Sequence, residues 1–335
     1  MGDGDVITIA VDAMGGDHAP AAICAGAADA LKQPGFRLLL VGREGPIRKE
    51  LDNLDYDADR VDVLDAPEVI LTDEPPTAAI KQKKNSSIVL ALHLVRDRKA
   101  DAFVSAGNTG ALLTGAALIL GRIAGIERPA LGTLLPNATG HTFLIDSGAN
   151  VDVKPAYLLQ FAKMGAAYME HTMGIKNPRV GLLNIGAERE KGNALTKEAY
   201  SLLEAGCRNF IGNVEARDIP DAAADVVVCD GFEGNILLKY SEGLAGGIMR
   251  ILQRELTVSP VRKIGAWLAR GAFAGLKKTF DYAEVGGAPF LGLNALVVKA
   301  HGSSNARAIT AAIEQCRLFA ANNIAQKIEA EMING

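Results

Sequence analysis

The stretch that most constrains the fold of this chain runs from residue 226 to residue 239. Its first four residues are apolar and mostly β-branched, a pattern typical of a strand buried on both faces of a parallel sheet. A polar loop with two glycines follows, and helical spacing resumes near Asn235, a residue type that favours helix N-caps. A strand, a glycine loop and a helix start in this order would offer backbone N–H groups to an anion. A β-to-α turn that needs glycine only for its dihedral angles is an equally good interpretation of this loop alone.

The same design recurs along the chain. Predicted strands that lead into polar, glycine-containing loops lie at residues 7–11, 36–41, 102–104, 142–145, 180–186 and 295–299. Longer helices are predicted at residues 78–98 and 154–173, and further helical material is predicted over residues 236–280. This alternation predicts a mostly parallel α/β sheet, and the close spacing of segments 129–135 and 142–145 predicts a hairpin that makes part of it mixed. Because ligands of such sheets bind beyond the carboxyl ends of strands, we expect the loops to line one cleft.

The composition is that of an ordinary globular protein and excludes several functions. With 335 residues, 49% of them hydrophobic, the chain can bury a large core as one domain or two lobes. A formal net charge of −4 argues against nucleic-acid binding. The four scattered cysteines favour a reducing cytoplasm over a disulfide framework. The N-terminus is unlike a signal peptide, and the longest apolar run, residues 111–121, is too short to span a bilayer.

Motifs for several common chemistries are missing from the sequence. It has no G-x-x-x-x-G-K-[ST] loop, no G-x-G-x-x-G after the first strand, no G-x-S-x-G elbow and no H-E-x-x-H. Nucleotide hydrolysis, standard dinucleotide binding, serine hydrolysis and zinc proteolysis therefore lose support. The loops are instead rich in Asn, Gly, Ser and Asp, whose amides and backbone N–H groups can bind anions and stabilise oxyanions.

Individual loop residues each allow two interpretations. Lys191, just before a predicted helix start, is the best candidate cation, although a solvated loop lysine would look the same. His301 could be an acid or a base, but histidines after strands are at least as often structural. Asn108 has the spacing of a helix cap. Asp12 and Asp146 could order a ligand or a catalytic lysine, or could satisfy turn amides.

The segment 259–282 combines an apolar stripe at helical spacing with several basic residues. Ile264, Trp267 and Leu268 are among its apolar residues, and Arg262 and Lys263 are among its basic ones. Such a helix favours an anionic membrane surface or an acidic partner. A helix that packs in a dimer is the alternative, and both hold if a helix pair packs at its base and projects its tip.

Taken together, the loops resemble the PlsX phosphate acyltransferases, which transfer a fatty acyl group from acyl carrier protein to inorganic phosphate. The matching motifs run in family order over nearly the whole chain, at residues 11–17, 105–111, 146–150, 181–186 with 191–193, 230–235, and 286–289 with 301–304. Each motif is weak alone, but jointly they are highly specific.

The resemblance implies a three-layer α/β/α Rossmann-like sandwich of the isocitrate/isopropylmalate dehydrogenase and phosphotransacetylase type, with a projecting helix pair. It implies one catalytic domain over residues 1–335, divisible into lobes of about 1–130 with 283–335 and about 131–282, and a helical hairpin at 240–282. We expect a homodimer, cytoplasmic and peripherally membrane-associated, that needs no metal and no cofactor. Its acyl phosphate product would feed phospholipid synthesis through a downstream glycerol-3-phosphate acyltransferase.

The resemblance also suggests which residues act. Lys191, Asn235 and His301 would be catalytic: the first two hold phosphate and the histidine would protonate the leaving thiol. The residues expected to bind phosphate or substrate are Asp12, Gly15, Gly16, Ser105, Asn108, Thr109, Asp146, Asn150, Asn184, Asn193, Asp230, Gly231, Gly234 and Ser303. The competing hypotheses are a phosphotransacetylase-like enzyme that uses coenzyme A esters, a β-decarboxylating dehydrogenase, and a non-catalytic scaffold that recruits acyl carrier protein to the membrane.

Overall fold

One continuous sheet crosses the computed structural model, which describes residues 6–280 and 286–334. Its strands are β1 (Ile7–Asp12), β2 (Phe36–Gly42), β3 (Val61–Asp65), β4 (Ala102–Ser105), β5 (Ala130–Asn137), β6 (Gly140–Ile145), β7 (Val180–Asn184), β8 (Phe210–Glu215), β9 (Val226–Val228), β10 (Ala288–Leu291) and β11 (Leu296–Lys299). Across the sheet their order is β3-β2-β1-β4-β11-β10-β5-β6-β9-β7-β8.

Helices cover both faces of this sheet. They are α1 (Ala21–Ala30), α2 (Glu44–Leu51), α3 (Pro76–Gln82), α4 (Ser87–Arg96), α5 (Thr109–Ile119), α6 (Pro155–Met173), α7 (Ala194–Gly206), α8 (Gly231–Thr257), α9 (Pro260–Leu268), α10 (Arg270–Phe280), α11 (Ala306–Ala321) and α12 (Ile324–Asn334). Short 3-10 helices lie at Ala58–Arg60 and Ala216–Asp221. No described helix is both long and apolar enough to cross a membrane.

Side chains of the strands alternate between separate cores on the two faces. Val226 and Val228 join the core that packs against α1, α6, α7 and α11, whereas Val227 and Cys229 join a core on the opposite face. Ile9 and Ala10 of β1 divide in the same way. The predicted strand buried on both faces is therefore confirmed, as is the α/β sandwich with a mostly parallel sheet.

The sheet consists of two parallel halves that run in opposite directions. In the first half, β1, β2, β3, β4 and β11 are parallel; in the second, β6, β7, β8 and β9 are parallel. Between them, β10 is antiparallel to β11 and β5, and β5 is antiparallel to β6. The predicted β5–β6 hairpin is confirmed. The division into two lobes stays a prediction.

Two helix predictions are wrong. The helix predicted over residues 78–98 is two helices, because the Ser86 side chain accepts a hydrogen bond from the Val89 N–H and starts α4 anew. The helix expected to begin near Asn235 begins at Gly231, because the carboxylate of Asp230 accepts from the Glu233 N–H at 2.7 Å and caps it. Asn235 consequently lies one turn inside α8.

The helical material predicted over residues 236–280 consists of three helices. Ser259 caps α9 and Pro260 occupies its first turn, so α8 ends before this pair. A further break separates α9 from α10 at Ala269. The predicted helix over 154–173 is confirmed as α6, whereas α2 and β10 were not predicted.

A substitution at Gly132 would test how tightly the β5–β6 hairpin packs. A methyl group added at Gly132 would lie 1.9 Å from Cζ of Phe143, whose ring stacks on the buried Tyr168 with centroids 4.2 Å apart. Since that ring has no space to move into, Gly132→Ala should lower the free energy of unfolding by about 1–3 kcal/mol, measured from urea midpoints. Gly45→Ala in α2 is the matched control: its methyl group meets nothing within 4 Å, so stability should hold or rise. Equal midpoints for the two variants would contradict this account of the hairpin.

Candidate functional site

Two adjoining cavities lie where the two halves of the sheet meet. Their volumes are about 1020 Å³ and about 410 Å³, and both are lined by Thr109, Lys299, His301 and Gly302. Because they share these residues, we treat them as two arms of one cleft. The polar arm is the smaller cavity, bounded by Asp17, Thr72, residues 106–110, Lys299 and residues 301–303. The apolar arm is the larger one, bounded chiefly by β5, the 3-10 helix Ala216–Asp221 and α8.

Asn108 shapes the polar arm as a cap of α5. Its side-chain oxygen accepts from the Ala111 N–H at 3.0 Å, and its amide nitrogen donates to the carbonyls of Leu71, Thr72 and Glu74 at 3.0–3.2 Å. The capping interpretation is therefore confirmed, and the Asn108 amide is committed to protein partners. The first N–H groups of a helix lack intrahelical acceptors, so the start of α5 at Thr109 presents donors beside the cavity.

Lys299 is a cation of this cleft that sequence reasoning missed. It ends β11, lines both arms and donates to the carbonyl oxygens of Ala106 and Ala300. Burial lowers the pKa of Lys299 to about 8, although the negative charge of Asp12 opposes that shift. The available signal was its position as the charged residue that ends the last strand before His301.

Asp12 is buried beside Lys299 at the end of β1. Its Oδ2 accepts from the Ser105 hydroxyl at 2.7 Å, and its Oδ1 accepts from the Met14 N–H at 3.1 Å. Burial raises the pKa of the Asp12 carboxyl, while hydrogen bonds from Ser87 and Ser105 and the charge of Lys299 act against that rise. Asp12 and Ser105 thus line neither arm, and Asp12 acts on Lys299 through its charge.

His301 lies at the junction of the arms and contacts a second lysine. Its Nε2 is 3.0 Å from Nζ of Lys239, and its Nδ1 is 2.8 Å from the hydroxyl of Ser303. The Ser303 N–H also donates to Nδ1 at 3.2 Å, so Ser303 contacts the ring with both its backbone and its side chain. Burial lowers the pKa of His301, and the charges of Lys239 and Lys299 lower it further. Whether His301 protonates the leaving thiol stays a prediction.

Asp146 organises the loop on the other side of the cleft. The buried carboxylate accepts from the N–H groups of Leu131, Gly148, Ala149 and Asn150 at 2.7–3.2 Å and from the Asn150 side-chain amide at 2.7 Å. Burial raises the pKa of Asp146, but these hydrogen bonds oppose the shift. Asp146 therefore satisfies turn amides, which was one of its two interpretations.

Two glycines let α8 pack against this loop. An added methyl group would lie 1.9 Å from the Asp146 carbonyl oxygen at Gly234, and 2.7 Å from the Asn150 carbonyl oxygen at Gly231. This close approach brings Asn235 against Gly148 at the mouth of the apolar arm. Ser147 and Thr133, whose hydroxyls are 2.8 Å apart, complete that mouth.

The glycines of the first loop also have packing roles. A methyl group at Gly15 would lie 2.4 Å from Oδ2 of Asp12, and Gly16 has a φ of +96°, which favours glycine. The Asp17 N–H donates to the Gly302 carbonyl, so this loop supports the one that carries His301. Whether these glycines also touch substrate stays a prediction.

The loop after β7 lies outside both arms. Lys191 is exposed there, and its carbonyl accepts from the side-chain amide of Asn184 at 3.2 Å. Asn193 caps α7 by accepting from the Thr196 N–H at 2.9 Å. The structure thus brings Asn108, Thr109, Asn235, His301 and Ser303 to one cleft, and leaves Lys191, Asn184 and Asn193 away from its lining.

No metal-binding cluster is found among the side chains that the structure describes: no three His, Cys, Asp or Glu residues are grouped to hold an ion. No described residue of α9 lines either arm of the cleft, whereas Leu276 of α10 lines the apolar arm. Ile264, Trp267 and Leu268 of α9 are exposed, and Arg262 pairs with Glu255 at 3.1 Å. Lys263 is also exposed.

The sequence of the chain is similar to those of known proteins. A sequence model described as fatty acid synthesis protein matches residues 7–327. The chain is 49% identical to a phosphate acyltransferase of Clostridium tetani and 48% identical to one of Clostridium botulinum, each over 97% of this chain and 98% of the relative.

The solved structures that resemble the chain support the fold alone. A phosphotransacetylase from Streptococcus pyogenes matches with a TM-score of 0.62 at 17% identity, covering 96% of this chain and 94% of that one. The EutD phosphotransacetylase from Staphylococcus aureus matches with a TM-score of 0.57 at 15% identity and the same coverage. The expected likeness to phosphotransacetylases is confirmed.

The lowered pKa of Lys299 predicts unusual amine reactivity. Near pH 8 about half of its side chain is neutral, whereas an amine with an ordinary pKa near 10.4 is neutral in under about 1% of molecules. Lys32 is the internal control, since its hydrogen bond to Asp29 raises its pKa. Brief acetylation followed by peptide mass spectrometry should show the Lys299 rate levelling off above about pH 8 while the Lys32 rate keeps rising. Parallel pH profiles would refute the lowered pKa.

Proposed function

The chain belongs to the fatty acid synthesis protein family, an acyltransferase family, and on that premise we propose that it transfers a long-chain fatty acyl group from acyl carrier protein to inorganic phosphate. The product, an acyl phosphate, would feed phospholipid synthesis through a glycerol-3-phosphate acyltransferase. The observation that carries this proposal is the polar arm, where Lys299, two hydroxyl groups and the start of α5 surround a cavity that opens into a larger apolar one.

Phosphate would occupy the polar arm. The Lys299 ammonium, the hydroxyls of Thr109 and Ser303 and the first N–H groups of α5 are donors of the kind that phosphate oxygens accept. His301 would help to position Ser303, whose hydroxyl and backbone N–H both lie against its Nδ1. The site would thus be pre-formed, which limits the reorganisation needed when charge moves.

The chemical step would be direct attack of a phosphate oxygen on the thioester carbonyl carbon. The new C–O bond forms a tetrahedral oxyanion, and the C–S bond then breaks to release the carrier-protein thiolate. Asn235, at the mouth of the apolar arm, would donate a hydrogen bond to that oxyanion. Since thiols have a pKa near 8.5, the thiolate can leave without a proton from His301.

Lys191 remains a proposed phosphate ligand on the strength of its motif. It is exposed in the loop 185–193, so contact with phosphate would require that loop to move towards the cleft. Asn184 and Asn193 belong to the same loop and would act through its position.

A product assay tests the proposed reaction. Mixing the protein with palmitoyl carrier protein and phosphate should give palmitoyl phosphate and free carrier-protein thiol in equal amounts, detected by mass spectrometry. Product from palmitoyl coenzyme A but none from the carrier-protein thioester would favour the coenzyme A alternative. Carrier-protein binding without any consumption of thioester would favour the scaffold.

Substitutions in the cleft should lower turnover. Asn235→Ala and Lys299→Met each remove one donor to phosphate or oxyanion, so kcat/KM should fall about a hundred-fold or more. Lys191→Ala should show a similar loss if its loop closes over phosphate, and Lys197→Ala, exposed on the neighbouring α7, is the charge-matched control. Near wild-type turnover with unchanged phosphate KM for Lys191→Ala would remove that residue from the site. The same result for Asn235→Ala and Lys299→Met would refute the assignment of the cleft.

We also propose that the protein is a cytoplasmic homodimer that touches the membrane. Exposed apolar residues follow helical spacing along α8, at Phe232, Ile236, Tyr240, Leu244, Ile248 and Ile251. A stripe of this kind fits a self-complementary dimer face. The exposed apolar residues of α9, flanked by Arg262 and Lys263, fit an anionic lipid surface instead.

Acidic substitutions on α9 would distinguish a membrane-binding role of this helix from a role in the dimer. Ile264→Asp with Leu268→Asp should release the protein from sedimenting phosphatidylglycerol vesicles, because two exposed apolar anchors become anionic. The variant should remain dimeric in sedimentation equilibrium and keep its turnover in solution. Leu318→Asp, an exposed position on α11, is the matched control and should still bind vesicles. Unchanged vesicle binding together with a monomeric protein would show that α9 packs the dimer.

A further inference from the structure

We propose that the apolar arm of the cleft is the binding site for the fatty acyl chain and that its length along α8 sets the preferred chain length. This inference rests on the proposed function, because it assigns the tail of the same thioester substrate. The thioester carbonyl would lie at the junction of the arms, beside Lys299 and His301. The hydrocarbon tail would run along α8 away from the phosphate.

The lining of the apolar arm changes in character along its length. Its charged side chains are Lys239, Glu242 and Lys299, of which Lys239 contacts both Glu242 at 2.8 Å and His301 at 3.0 Å. The other lining residues are largely aliphatic, and include Leu135, Ile219, Leu238, Ala245, Ile248 and Met249. A cavity with a polar end and an aliphatic body matches an acyl thioester, whose polar group is at one end.

The arm is long as well as apolar. Asn235 lines its mouth and Met249 lines its body, and these residues are separated by 14 positions of one helix. At about 1.5 Å of rise per residue, that separation is about 21 Å along the axis of α8. A cavity of about 1020 Å³ with this extent fits a long hydrocarbon chain rather than an acetyl group.

One face of α8 is directed to this cavity. Leu238, Ala245 and Met249 are at helical spacing, line the arm and are only partly exposed. The stripe proposed for the dimer includes Tyr240 and Ile251, which do not line the arm, but it shares Leu244 and Ile248 with the lining. The two proposed surfaces of α8 therefore adjoin each other along one edge. The floor of the arm, formed by Leu135 and Ile219, is buried within the chain itself.

Filling the arm at its middle should shorten the accepted chain. In Ala245→Trp the indole ring would occupy the part of the apolar arm that lies beyond the second turn of α8 after Asn235. Each methylene kept out of an apolar site lowers affinity about fourfold, so displacing several should lower kcat/KM for palmitoyl carrier protein tenfold or more. Hexanoyl carrier protein, whose chain ends near the mouth, should react within about twofold of wild type. Leu118→Trp, 64% exposed on α5 and outside both arms, is the matched control and should leave both rates unchanged.

Direct binding provides a second readout that needs neither phosphate nor carrier protein. The fluorescence of cis-parinaric acid should rise on binding wild type and Leu118→Trp, and much less with Ala245→Trp. An unchanged ratio of palmitoyl to hexanoyl rates in Ala245→Trp, with unchanged probe binding, overturns the inference. If that variant loses both rates or fails to fold, the smaller Ala245→Leu decides by the same ratio. A shift from dimer to monomer with undiminished probe binding would assign this face of α8 to a second copy and also overturn it.

The two proposals fail in different ways. If wild type makes no acyl phosphate from either donor, the proposed function fails, while probe binding still decides whether the arm takes a fatty chain. If wild type makes acyl phosphate but Ala245→Trp keeps the chain-length ratio, the function stands and the acyl-chain site is wrong.

Discussion

The geometry of the cleft depends on the antiparallel pairing of β5 with both β10 and β6. Leu131 pairs with Phe290 on one side, and the next residue, Gly132, pairs with Ile145 on the other. This strand therefore joins two parallel halves that run in opposite directions. The carboxyl end of β6 therefore lies beside Leu131 of β5. There the Asp146 carboxylate accepts a hydrogen bond from the Leu131 N–H, and the Ser147 N–H donates one to the Leu131 carbonyl. Loops from oppositely directed strands can then face each other across one cleft.

Much of the fold could be predicted because its signals are local. The run at 226–229 is apolar at every position because its side chains fill cores on both faces, and the β5–β6 hairpin has only a short turn between its strands. The division of residues 78–98 depends on a single serine cap within an otherwise helical pattern. The strand β10 is four residues long and pairs with β5, which is far away in sequence, as well as with the nearby β11, so its short sequence alone does not mark it as a strand.

The candidate site was less predictable, because the same residue types bind ligands and hold turns. Asn108, Asn193 and Asp230 were expected at a phosphate site, and all three accept a backbone N–H as helix caps. Their motifs correctly predict where strands end and helices start. They do not predict which polar groups remain available to bind a ligand. Lys299 illustrates the opposite case. Its sequence context is an ordinary strand end, and its lowered pKa arises only when the fold buries it beside Asp12.

The electrostatics of the cleft give a physical reason for it to prefer an anion. Burial disfavours the charged forms of Lys299 and His301, and the charges of Lys239 and Lys299 lower the His301 pKa further, so positive charge in the cleft has a free-energy cost. An anion within a few ångströms reverses the balance, because an opposite charge favours the protonated amine. Anion binding and proton uptake by Lys299 are therefore linked, and each strengthens the other near pH 8. Since a neutral ligand would gain nothing from this linkage, the buried lysine contributes selectivity as well as attraction.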